Sequence, residues 1–190
     1  MMKRLFAIAL LLCVAVAATG QEAVKKYEMK SGIAKMKMSL MGQAVESTVY
    51  FDDYGALEAT KSKISMPGMG DIETTTISKG GKTYVVIPSM KQVQEQPVQE
   101  GINYIALTDE VIAKNKIEKV GTDIVCGKEC IKYTAEVTEQ GQKATSIVSV
   151  YKGFPLKSVT SVSGIEIVME VIEFTEDAFV IDLLFEVPVY

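Results

Sequence analysis

Histidine and tryptophan are absent from this 190-residue chain, and its single arginine, Arg4, lies in the first twenty residues. Without histidine there is no Ser-His-Asp or Cys-His arrangement, no imidazole base near neutral pH and no His-ligated zinc. Without arginine in the body of the chain there is no bidentate clamp for phosphate or carboxylate. No nucleophile elbow, phosphate loop or metal-ligand cluster is present either. What remains is Lys, Asp, Glu, Tyr, methionine and many β-branched residues. That inventory suits a binding or structural protein, so no enzymatic activity, cofactor or metal centre is expected.

The first twenty residues read as a secretory signal. Lys3 and Arg4 form a short positive region, and Leu5 to Val16 form an apolar run. Ala18-Thr19-Gly20 then supplies small residues at the cleavage positions, which places cleavage before Gln21. The run is too short for a membrane anchor, and no second run of spanning length follows. A lipid anchor on Cys13 does not fit, because Leu11 and Leu12 precede it where small residues are required. The expected product, residues 21–190, is one exported domain that does not span the membrane. Removing Lys3 and Arg4 leaves 18 basic residues against 24 acidic ones, a net charge of −6. Nucleic acid is not an expected partner of such a chain.

Alternation dominates the body of the chain. Ala34-Met36-Met38-Leu40, Ile131-Tyr133-Ala135-Val137 and Ile165-Ile167-Met169-Val171 each recur every second residue, with polar residues between them. Turn signals punctuate these runs at Met41-Gly42-Gln43, Asp52 to Gly55, Lys79-Gly80-Gly81-Lys82, Gln140-Gly141, Lys152-Gly153 and Ser163-Gly164. The pattern predicts a mainly β fold of about ten antiparallel strands. Ser89 to Asn115 breaks it: Thr108 is a good N-cap for a short helix through Lys114, and a second helix is expected near Met90 to Gln96. Two or three short helices are expected to cover the concave face of a curved sheet.

Four motifs in order carry a family likeness: Tyr50-Phe51-Asp52-Asp53-Tyr54-Gly55, Gly81 to Val86, Gly153-Phe154-Pro155-Leu156-Lys157, and Leu184-Phe185-Glu186-Val187-Pro188. Together with the signal segment they resemble the periplasmic lipoprotein-carrier superfamily typified by LolA and LolB. The resemblance implies a strongly curved antiparallel sheet, an incomplete barrel, with short helices plugging a hydrophobic cavity for acyl chains. It also implies the periplasm of a diderm bacterium, with an apolar ligand and an envelope protein as candidate partners. The mature chain has neither the inward arginine nor the cavity tryptophans of the carrier proper.

Candidate cavity-lining residues are Met36, Met38, Met66, Met69, Tyr84, Val86, Met90, Ile167 and Met169. Methionine is flexible and polarisable, so it can mould to a ligand, fill a core, or hold Cu(I) through its thioethers. All three readings stand at this point. So does the alternative of an envelope interaction or structural module whose sheet is filled by its own side chains. Asp52 and Asp53 read as turn residues, not as an acid-base pair. Cys126 and Cys130 are the only cysteines after cleavage. In an exported protein they are expected to bridge across a hairpin turned through Gly127-Lys128-Glu129, with free thiols or a redox pair as alternatives.

Overall fold

A computed structural model describes residues 25–40, 43–66, 70–97, 101–139 and 142–190. The expected signal segment, the Met41-Gly42 and Gln140-Gly141 turns and Met69 lie outside these residues. The strands are β1 (Gly32–Leu40), β2 (Gln43–Asp52), β3 (Leu57–Met66), β4 (Gly70–Lys79), β5 (Lys82–Ile87), β6 (Gln92–Gln96), β7 (Glu118–Val125), β8 (Lys128–Glu139), β9 (Gln142–Tyr151), β10 (Phe154–Val162) and β11 (Ile165–Glu176). They form one eleven-stranded sheet in the order β6-β5-β4-β3-β2-β1-β11-β10-β9-β8-β7, with every pair antiparallel. Two meanders therefore grow outward from a central pairing of the first and last strands. The mainly β expectation holds, with eleven strands where about ten were expected.

Several hairpins turn on two residues that both have positive φ: Gly80-Gly81, Cys126-Gly127, Lys152-Gly153 and Ser163-Gly164. Such turns twist with the strands they join. Three register shifts, between Lys35 and Met36, Pro155 and Lys157, and Lys119 and Gly121, interrupt the ladders. Each adds local bend, which an open curved sheet requires.

Direct register pairs define two faces. On the first, Gly32, Ala34, Met36 and Met38 stand opposite Phe51, Val49, Ser47 and Val45. Across β11 this face continues through Val171 and Met169. Residues 25–31 lie over its end. Lys26 and Tyr27 amides donate to Tyr54 O at 2.9 and 3.1 Å, and the Glu28 amide donates to Lys152 O at 3.0 Å. The Tyr27 ring sits edge-on to Phe51 and Phe154, with centroids 4.9 and 5.1 Å away, and Phe51 stacks on Phe154 at 5.4 Å. Buried Glu58 receives Lys26 Nζ at 3.2 Å and the Tyr27 hydroxyl, which satisfies a charge that would otherwise be costly there. Gly153 is required at this junction. A Cβ on it would stand 2.5 Å from Lys26 O and 2.7 Å from Ile105 Cγ2, and its φ is +86°.

The second face carries its own core. Ile33, Tyr50, Ala59, Ile77 and Tyr84 stand opposite one another across β1 to β5. Val180, Leu184, Phe185 and Val187 of the C-terminal strap, residues 178–190, help to cover this side. The strap is tied at its start, where Ser31 Oγ donates to Ala178 O at 2.8 Å and the Asp177 amide donates to Ser31 O at 2.9 Å.

The crossover from β6 to β7 contains α1 (Asp109–Asn115), capped by Thr108, whose Oγ1 accepts from the Val111 amide at 3.3 Å. Tyr104 of this crossover packs on Tyr133 of β8, with centroids 5.2 Å apart. Burial pushes its hydroxyl up to about 12. The expected helix near Met90 to Gln96 is instead a 3-10 turn, Pro88–Met90, followed by edge strand β6. Pro88 starts the turn, left-handed Lys91 ends it, and pairing with β5 then sets the extended backbone. Among the described residues the short helical pieces are thus one α-helix, lying against β8, and 3-10 turns at 53–55, 88–90 and 182–185.

At the end of β11 the Glu176 carboxylate gathers Lys128 Nζ at 2.5 Å, Lys152 Nζ at 2.9 Å and the Tyr151 hydroxyl at 3.3 Å, joining two hairpin turns to the central strand. Hydrogen bonds from the two lysines hold its carboxyl at about 2, below the usual 4.5. The contact therefore stabilises the fold fully above about pH 4.5, and that contribution disappears as pH falls through about 2. An NMR titration should place the Glu176 midpoint near 2, and Lys128→Met with Lys152→Met should return it toward 4.5. Phe51 is fully buried among Tyr27, Phe154 and Gly32. Urea unfolding of Phe51→Ala should show a loss of about 3–5 kcal/mol.

Candidate functional site

Strand alternation brings four of the nine candidate cavity residues together. Met38 stands opposite Met169 and Met36 opposite Val171, while Ile167 packs against Met38, Val45 and Ile64. All four lie on the first face around the central strand pair. Met169 is 5% exposed and belongs to the main core, with Met36 packed against it. Tyr84 and Val86 point to the second face, because β5 pairs with β4 through Ile77↔Tyr84 and Thr75↔Val86. Val86 is buried there in the core that the strap completes. Met90 follows Pro88 in the 3-10 turn and is 61% exposed. Met66 ends β3, and Met69 lies outside the described residues. The nine residues therefore do not line one cavity.

A groove of about 470 Å³ opens on the N-terminal half of the sheet. Its lining includes Met36, Pro88 and Ile172, and Ile172 is the residue left over at the register shift between β1 and β11. The rest of the lining is charged or hydroxylic. The reason is again alternation: Lys35, Thr48, Lys61 and Thr75 stand side by side on the face opposite the methionines. A second row places Lys63 between Glu46 and Glu73. Lys35 is held by Glu173 at 2.7 Å, Lys63 by Asp71 at 2.7 Å, and Glu46 by Lys37 at 3.3 Å. Hydrogen bonding to those carboxylates raises the Lys35 and Lys63 ammonium groups above their ordinary range. Lys61 Nζ lies 5.9 Å from the centre of the Tyr50 ring. In the sequence these lysines read as a solvated strand face; the curvature that makes the face a groove left no local signal.

Cys126 and Cys130 are not joined to each other in this structure. The hairpin turns on Cys126-Gly127, one position earlier than expected, so Cys126 sits in the turn while Cys130 pairs with Asp123. Cys126 Sγ donates to Val171 O at 2.8 Å, and Cys130 Sγ to Lys128 O at 3.5 Å. Burial pushes both thiols up, away from the thiolate that redox exchange requires. Among the described residues, no group of three or more His, Cys, Asp or Glu side chains is placed to hold a metal ion.

No family model matches the sequence, and no curated protein matches it. Solved structures do resemble the fold. An uncharacterized conserved protein from Thermus thermophilus aligns with a TM-score of 0.57 at 15% identity, over 87% of this chain and 90% of that one. A chain of the Pseudomonas aeruginosa MucA/MucB complex aligns with a TM-score of 0.55 at 13% identity, over 87% of this chain and 58% of its own length. This chain thus spans little more than half of that one. A putative outer membrane lipoprotein-sorting protein domain from Vibrio parahaemolyticus aligns at 12% identity over 84% and 91% of the two chains, with a TM-score of 0.41. The likeness to the first two is one of fold, and the fold is the open curved antiparallel sheet that the lipoprotein-carrier resemblance implies.

Proposed function

We propose that this is an exported, non-catalytic binding protein that carries a lipid or acyl chain, with residues 1–20 as its removable signal and the periplasm as its compartment. The observation that carries this reading is the groove of about 470 Å³, which falls in the usual size range of small-ligand sites, about 300–1,000 Å³. Its mixture of Ile172 and Pro88 with lysines and threonines suits an amphiphile better than a fully apolar molecule. The four-motif resemblance to the lipoprotein carriers supports the same ligand class. Among the described residues no helix is long and apolar enough to cross a membrane.

A second reading, an envelope interaction module with a self-filled core, is favoured by one observation. Met38 and Met169 are buried against neighbouring side chains with the packing of core residues. The MucA/MucB chain shows that this fold occurs in a protein held in a complex.

Native mass spectrometry of the protein purified from its host envelope separates the two readings. A bound lipid, or uptake of a fluorescent fatty acid by the purified protein, is the outcome expected of a carrier. A clean apo mass with no uptake would sink that reading and leave the module. Independently, Met169→Ala should lose about 2–5 kcal/mol in urea unfolding, as for a packed core methionine. A near-neutral change would instead mean that Met169 lines open space.

A further inference from the structure

We infer that the second face holds a binding site for a single-chain amphiphile with a phosphate headgroup: the head at Lys61, the tail on the apolar strip that the C-terminal strap now covers. This rests on the carrier reading and deepens it. The head position follows from register. Lys61 stands directly between Thr48 on β2 and Thr75 on β4, so an ammonium and two hydroxyls come from three adjacent strands that are spaced about 4.8 Å apart. Three such donors suit the several oxygens of a phosphate monoester. Of the neighbouring charges, Lys35 is paired with Glu173, Lys63 with Asp71 and Glu46 with Lys37, while Glu73 stands directly opposite Lys63 and adds to the field on that ammonium. Among the described residues no carboxylate forms an ion pair with Lys61, which leaves its charge for a ligand to complement.

The tail position follows from the same rows. Beyond Thr75 the row runs into Val86 and Val93, and the adjacent row is Ile33, Tyr50, Ala59, Ile77 and Tyr84. From β1 to β5 that strip crosses four interstrand steps, roughly 19 Å. Val180, Leu184, Phe185 and Val187 of the strap pack on it. Among the described residues, the strap's backbone hydrogen bonds beyond Ala178 are internal, Leu184 amide to Ile181 O and Glu186 amide to Leu183 O, and its contact with the sheet there is apolar. Such contact is non-directional and can be exchanged for that of an acyl chain without leaving a sheet polar group unpaired. The strap's other side already faces solvent with Phe179 at 89% and Val189 at 98% exposure, together with Ile181 and Leu183. It is apolar on both sides, and it occupies the strip as a ligand would.

The test uses the full mature protein with dodecyl phosphate, dodecyl maltoside and inorganic phosphate below micelle-forming concentrations. Calorimetry should show dodecyl phosphate binding at least about tenfold more tightly than either other probe. Lys61→Gln, an exposed substitution whose folding is checked by circular dichroism, should remove that advantage and leave dodecyl maltoside binding unchanged. Amide hydrogen exchange across residues 179–187 should accelerate when dodecyl phosphate binds. Tight binding that ignores Lys61→Gln, or that leaves strap exchange unchanged, overturns this site while the carrier reading stands. Inorganic phosphate binding as tightly as dodecyl phosphate overturns the tail assignment. If neither chain-bearing probe binds, the carrier reading falls as well.

Discussion

The pairing of β1 with β11 is the constraint on which the rest of the molecule depends. It joins strands from opposite ends of the described chain, Gly32 with Glu176 at one end and Leu40 with Ile167 at the other. Because the two meanders meet there, β6 and β7 become the outer edges, and the connection between them has to traverse the sheet. The same pairing brings Met38 onto Met169 and places Ile172 at the irregularity beside the groove. Residues 25–31 and the strap then close over the ends of this central pair, through Tyr27 on the first face and through Ser31 with Ala178 on the second.

Two faces of one sheet carry different chemistry because strand alternation separates them residue by residue. On β1, Ala34, Met36 and Met38 serve the first face while Lys35 and Lys37 serve the second. A slip of one residue would put ammonium groups among Phe51, Val49 and Met169, so the register is strongly specified. Charge inside the first face is admitted only where it is answered, as at Glu58 with Lys26 and Tyr27. The second face is apolar under the strap and carries lysines, carboxylates and hydroxyls beyond it, which gives it an apolar-to-polar gradient.

Much of this architecture is legible in the sequence because period-two alternation is a local signal. Ala34, Met38, Ala135, Met169 and Val171 are buried as their alternation implies. The Thr108 cap and the Gly-containing hairpin turns are local too, and both form. What is not legible depends on distant partners. Ile131 and Ile165 continue apolar runs yet are exposed, since nothing later in the chain folds over those positions. Leu156 and Ile172 are the extra residues at register shifts, which alternation alone does not reveal. Lys26 reads as a solvated lysine until Glu58, 32 residues away, is placed beside it. Tyr84 and Val86 fall on the face away from the methionines because the parity of β5 is set by β4 and not by its own pattern. A shift of one position in the hairpin turn likewise puts Cys126 in the turn itself and not on the strand that precedes it.

The placement of the first strand beside the last also sets the order in which the chain can assemble. The two-residue hairpins at Gly80-Gly81, Cys126-Gly127, Lys152-Gly153 and Ser163-Gly164 close over short loops and can form on the scale of about 1–10 μs. The centre of the sheet has to wait for β11, because β1 has no partner on that side until residues 167–176 exist. Contacts of such long sequence separation delay folding. Until β11 is in place the two meanders, β1 to β6 and β7 to β10, have no ladder joining them. The central pairing can therefore close only after both meanders have been brought together, and the ladders on either side of it can form before the sheet is one.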